Sequence, residues 1–259
     1  MNINNEISTD VIMREFESSF IEAMDEIKSY SPQDKRQRLF QNNAEKNLDF
    51  QFMSYGKHYF EQKIKLFVVG RASGEYEEDG WVVVSHTGDT TEYDMERLKA
   101  SVRSELDGHA EWFANSSSQF SKLIRNTAHA LIPEGIDEDN LQEYIVLTNL
   151  YKFIPHCGSK NPSAPLCKAQ KNIAPAMLKK QLEFFKPTHI LLITGESWTK
   201  IDKNDENKIF EAILKEYKAT YAAKYAIVER PECKSDDYKQ EKIYDIINQR
   251  FGTDIHIKL

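Results

Sequence analysis

Apolar positions along the chain follow two alternating rhythms. From near Asp10, the residues Met13, Phe16, Phe20, Met24 and Ile27 recur at intervals of three and four, the stripe of an amphipathic helix, and Ser31-Pro32 stops it. From there to about Gln62 the chain is polar with scattered aromatics (Phe40, Phe50, Phe52, Tyr55, Tyr59, Phe60), which reads as further helix or irregular chain against a core. Residues 1–62 are therefore expected to form a helical N-terminal extension packed on a main domain spanning 63–259. The second rhythm begins at Ile64 to Val69, a short and nearly continuous apolar run ending at Gly70; such runs suit a strand covered on both faces. Tyr144 to Thr148, His189 to Thr194 and Tyr225 to Val228 repeat it.

Helical stripes precede the later three runs. They are Phe120, Leu123, Ile124, Thr127 and Leu131; then Ile173, Met177, Leu178, Leu182 and Phe185, stopped by Pro187; then Ile209, Phe210, Ile213, Leu214 and Tyr217. A closing helix is expected over about Asp236 to Phe251, with Gly252 just past its end. Strand alternating with helix implies a parallel sheet with helices on both faces. Ligands of such sheets bind beyond the carboxyl ends of the strands, which directs attention to the residues after Val69, Thr148, Thr194 and Val228.

Composition narrows the class. A hydrophobic content of 40% supplies a core, and 29% charged residues suit a solvated surface. No window approaches the roughly 18 apolar residues of a membrane span, and Met1 to Asp10 has no secretory apolar core, so a cytoplasmic protein is expected. Cys157, Cys167 and Cys233 are spaced like neither a disulfide framework nor paired metal knuckles; reduced thiols and no metal are expected. The net charge of −7 argues against general coating of nucleic acid, but leaves room for a local basic face.

Each strand end has a plain and a functional reading. Gly70 to Trp81, with Glu75, Glu77, Glu78 and Asp79, is either an acidic solvated loop or a close-approach loop with carboxylates beside an aromatic. Asn149 either caps a turn or offers a donor and an acceptor to a base edge, and Lys152 either holds a phosphate or is merely exposed. Arg230 is either paired with Glu229 or Glu232, or is a fixed positive charge at the sheet's edge, with Lys234 and Ser235 able to donate to phosphate.

Taken in order, these segments resemble the uracil-DNA glycosylase superfamily. Gly70, Ala72, Gly74 and Glu77-Glu78-Asp79 look like its G-E-A-P-G-x-x-E-D-x-x-G loop. Thr148-Asn149, Lys152, Pro155 and Asn161-Pro162 are similar to T-N-x-x-K-x-x-P…N-R-x-P, while Gln181-Leu182, Pro187 and His189 to Gly195 are similar to the helix and strand that follow. Arg230-Pro231 stands where the family usually has His-Pro, and the likeness covers about Lys63 to Gln249.

The resemblance implies a three-layer α/β/α sandwich around a central four-stranded parallel sheet. It implies that Asn149 reads a flipped base, that Gly70, Arg71, Ala72 and Ser73 wall the pocket, and that Trp81 or Tyr76 stacks on the base. Lys152, Lys234 and Ser235 would meet the DNA backbone. Cleaving an N-glycosidic bond builds positive charge on the sugar and negative charge on the base, so Glu78 or Asp79 would serve the first and Arg230, always protonated, the second. No cofactor is implied, because the iron-sulfur cluster of some branches needs four cysteines, and Ala174 stands near where one of them would fall. Base flipping favours mispaired or modified bases, so the expected partner is DNA carrying uracil or a modified pyrimidine, such as a hypermodified cytosine of phage DNA, in repair or antiviral defence. Two alternatives remain open: a glycosylase fold that binds without chemistry, and an enzyme acting on free nucleosides or nucleotides.

Overall fold

The computed structural model describes residues 7–31, 38–40, 46–71, 82–108, 116–132, 138–156, 162–200, 208–231 and 237–255. Its elements run Thr9–Ser29 (α1), Asn47–Phe50 (β1), Met53–Tyr55 (β2), Leu66–Gly70 (β3), Val82–Thr87 (β4), Thr90–Tyr93 (β5), Met95–Asp107 (α2), Gln119–Leu131 (α3), Val146–Asn149 (β6), Phe153–Pro155 (β7), Ala164–Ala169 (α4), Ile173–Phe185 (α5), His189–Ile193 (β8), Ile209–Tyr221 (α6), Lys224–Val228 (β9) and Asp237–Phe251 (α7). The protein is mixed α/β, with two sheets among the described residues.

The apolar runs become neighbours in the larger sheet, whose order is β2-β6-β3-β8-β9. β6, β3, β8 and β9 are parallel, in registers that pair Gly70 with Asn149 and Ile193 with Val228. Alternation sends their side chains to opposite faces. Phe67, Val69, Val146, Ile190 and Leu192 join one apolar cluster with residues of α1, α2, α5 and α6; Leu66, Val68, Leu147, Leu191 and Ile193 join another with α3 and α7. Double-sided burial explains why these strands read as unbroken apolar runs.

The first sixty residues depart from the expected helical extension. α1 forms as its stripe predicts, burying Ile12, Phe16, Phe20, Met24 and Ile27. The stretch that follows supplies β1 and β2 instead of further helix. β2 adds antiparallel to β6 at the edge of the larger sheet. β1 joins a second sheet of order β5-β4-β1-β7, antiparallel throughout, which the sequence reading did not foresee. Its β4–β5 hairpin turns at Gly88, whose φ of 62° lies in the left-handed region that glycine tolerates. Phe16 and Phe20 of α1 each meet Phe52 edge-on at 5.0 Å, and Phe50 meets Phe153 at 5.0 Å, so this N-terminal region is built into the core.

Candidate functional site

β3 and β6 end side by side, and their pairing continues past the strand ends. Leu150 N donates to Gly70 O at 2.9 Å, and Tyr151 N to Arg71 O at 3.4 Å. The Asn149 amide lies over Gly70, where a Cβ would come within 2.5 Å of its Oδ1. Only glycine leaves that space. From the other side, Asn149 Nδ2 donates to Gln51 Oε1 at 3.0 Å. Gln51 is itself buried and pinned by its backbone N–H on Lys152 O at 2.7 Å. Asn149 is thus half-buried and held by a side chain 98 positions away; its amide donates to Gln51 and not to a turn.

Arg71 follows Gly70, and its guanidinium lies 4.3 Å from the ring centre of Trp198. Trp198 comes from the 310 turn Glu196–Thr199 just after β8, and it packs edge-on against Tyr151 at 6.0 Å. Gly195, at φ 75°, opens that turn and donates its N–H to Val228 O at 2.8 Å. Arg230, half-buried and two residues past Val228, stands two strands from Gly70 and three from Asn149, roughly 10 and 14 Å at about 4.8 Å per strand. Gly70, Arg71, Asn149 and Arg230 therefore share the carboxyl edge of the parallel strands.

Lys152 is not on that edge, which corrects its expected place on a DNA backbone. Its side chain is fully buried, and Nζ donates to Thr148 Oγ1 at 2.6 Å, Asn149 O at 2.7 Å and Phe52 O at 3.0 Å, with Gln181 Oε1 at 3.4 Å. Desolvation lowers its pKa from 10.5 to about 7, against the pull of the Glu105 carboxylate, which accepts Phe52 N at 2.6 Å. Such an ammonium organises the backbone around Asn149 from inside. Ala72, Ser73, Tyr76, Glu78, Asp79, Trp81, Lys234 and Ser235 lie outside the described residues.

A row of polar side chains on β1 and the residue just past it, unforeseen from the sequence, leads to Asn149. Ser85 Oγ donates to Asn47 Oδ1 at 3.0 Å, and Asp49 receives His156 Nδ1 on both oxygens at 2.9 and 3.0 Å. Gln51 comes next. Residues 47, 49 and 51 alternate with Leu48 and Phe50, which join the apolar core, so the polar three share a face. Burial pushes the Asp49 carboxyl above its ordinary range, while the hydrogen bond and charge of His156 pull it down. The signal was present in the text: Asn-Leu-Asp-Phe-Gln-Phe is a strict polar–apolar alternation, the mark of a half-buried strand.

Among the described residues no three His, Cys, Asp or Glu side chains come together as a metal site, Cys167 is a buried thiol outside any disulfide, and no helix is long and apolar enough to cross a membrane. A scan of the chain against models of protein families finds no match, and neither does a search among curated proteins.

Proposed function

We propose that the chain is a nucleobase-recognising protein of the uracil-DNA glycosylase type: a three-layer α/β/α domain that takes a flipped uracil or modified pyrimidine from DNA and excises it. The observation that supports this best is the Asn149 amide, fixed by Gln51 and seated over Gly70 at the carboxyl edge of parallel strands. A pre-positioned amide beside an open glycine can meet both a donor and an acceptor on a base edge. In this reading Arg71, backed by Trp198, lines the base site, and Arg230 offsets the charge of the departing base. Glu78 or Asp79 supports the cationic sugar, Ala72, Ser73 and Trp81 complete the wall, and Lys234 and Ser235 hold phosphate. A cytoplasmic enzyme of repair or antiviral defence would suit that chemistry.

The test is incubation of the protein with oligonucleotides carrying uracil, 5-hydroxymethylcytosine or its glucosylated form, followed by alkaline cleavage at abasic sites. Breaks should appear with one of these bases, and Asn149→Ala should slow them at least about 100-fold, the usual effect of removing a polar contact made to the transition state. A panel without any breaks would refute excision. The burial of Lys152 removes one expected phosphate contact from a chain of net charge −7 and weighs against tight DNA binding of any kind, while a second reading is a fold of this type that binds without chemistry. Tight binding of such oligonucleotides with no breaks would select it.

A further inference from the structure

We propose that His156, oriented by Asp49, is the general base that activates water at this site; the assignment rests on the excision reading above. Asp49 and His156 form a shielded pair: their side chains are 3% and 8% exposed, and both carboxylate oxygens face Nδ1. A carboxylate on Nδ1 fixes the ring and places the proton there, which leaves Nε2 with its lone pair. Among the described residues no group bonds Nε2. Among the described residues His156 is held through one nitrogen only, and Nε2 is not among the buried atoms that lack a partner.

The pair also stands in the right place. Asp49 lies in β1 and Gln51 just past its end, where its N–H still pairs with Lys152 O, and Gln51 holds the base-reading amide of Asn149. Alternate residues of a strand are about 7 Å apart, so Asp49 and Gln51, the residues through which His156 and Asn149 are held, stand about one nucleoside apart. A base bound at Asn149 would extend its sugar along this row. In the step we assign, the water oxygen bonds to C1′ of the sugar as the C1′–N bond breaks, and the bonding pair leaves with the base. His156 Nε2 takes one proton from that water and returns it to solvent, while the base anion takes its own proton from solvent. His156 is the catalytic residue, and Asp49 is a positioning residue acting through it.

Single-turnover excision on the oligonucleotide that the wild type cleaves tests the assignment. His156→Gln should slow the chemical step by about 100- to 10,000-fold, the range for loss of a general base, with affinity for the same oligonucleotide changed by less than about threefold. Asp49→Asn, which keeps the size of the side chain, should lower the rate and leave affinity alone. Added imidazole should restore part of the rate of His156→Gly while leaving the wild type unchanged, a response that a merely structural histidine would not give. An active wild type whose His156→Gln rate stays within about threefold overturns the dyad and leaves excision standing. Loss of rate without imidazole rescue, matched by loss of affinity, also overturns it. A wild type silent on every base removes the excision reading and this assignment together.

Discussion

Replacing Lys152 with Met separates two effects that a buried ammonium combines. The charged form makes three bonds of 3.0 Å or less, to Thr148, Asn149 and Phe52, and each charge-assisted bond is worth about 1.5–3 kcal/mol. Desolvation outweighs them: the gap between a pKa of 10.5 in the unfolded chain and about 7 in the folded one, roughly 5 kcal/mol, is the net cost of holding the charge inside. Lys152→Met should therefore cost only about 1–3 kcal/mol at pH near 7, chiefly from leaving the Asn149 carbonyl without a donor.

The pH dependence is the sharper signature. Between about 7 and 10.5 the folded protein has released the Lys152 proton while the unfolded chain keeps it, so the unfolded state binds more protons and stability climbs with pH. The slope reaches about 1.4 kcal/mol per pH unit, and from about pH 7.5 to 9 the wild type should gain about 2 kcal/mol over Lys152→Met. Urea unfolding of both proteins, followed by far-ultraviolet circular dichroism across that range, measures the difference; other titrations cancel in it. A difference that is flat, or that shrinks as pH rises, would mean that Lys152 keeps its proton in the fold and that Glu105 outweighs burial.

Other changes should be read in stability. Gly56→Ala would drive a Cβ into the backbone carbonyl of Glu143 and the amide nitrogen of Tyr144, and should lower stability by about 3 kcal/mol or more in thermal melting. Glu26→Ala removes the carboxylate of α1 that accepts the Asn172 and Ile173 amides at the start of α5, at 2.9 and 2.8 Å; a loss of about 1–2 kcal/mol is expected in urea titration. His189, whose pKa is lowered from 6.5 to about 4 by burial and by the nearby Lys224, contributes stability that is whole above about pH 6.5 and is lost as pH falls toward 4. After allowance for solvent screening this is about 1–2 kcal/mol, and His189→Gln should flatten that part of the acid-unfolding curve. Gly70→Ala should displace the Asn149 amide and abolish oligonucleotide binding, with a melting temperature that changes far less than that of Gly56→Ala.

Legibility followed the geometry of burial. β3, β6 and β8 are central and covered on both faces, which leaves short continuous apolar runs, and edge strand β9 keeps a shorter run, so all four were readable. α1, α3, α5 and α6 bury one stripe each and were equally plain. α2 went unread because it buries only Leu98, Ser101, Val102 and Leu106, a thin stripe in a charged stretch. β1 and β2 are four and three residues long, and the alternation from Asn47 to Phe52, though present in the text, was outweighed by aromatics that also suit a helix. The site splits the same way. Gly70, Arg71, Asn149 and Arg230 were reachable because strand ends are where ligands of parallel sheets lie. Gln51 and Trp198 were not, since Gln51 meets Asn149 only after β1 and β6 are brought together across 98 positions, and no local spacing encodes that.

Lys152 was misread for an instructive reason. A lysine three residues past a strand end is usually solvated, and only the meeting of two sheets makes this one internal. At Gln51 and Phe52 the chain leaves the antiparallel sheet and enters the edge of the parallel one, and such a change of partner strips backbone groups of their ladder bonds. The polar side chains nearby answer that need. Gln170 Oε1 accepts both Lys152 N and Phe153 N at 2.8 Å, Glu105 takes Phe52 N, and Lys152 and Thr148 both donate to Phe52 O. Asn149 hangs from this knot through its carbonyl and through Gln51, so its amide is held by groups whose first task is to satisfy the junction. A residue built into such a junction cannot relax without exposing buried donors and acceptors, each costing about 1–3 kcal/mol, which is a physical source of the preorganisation that the proposed base recognition requires.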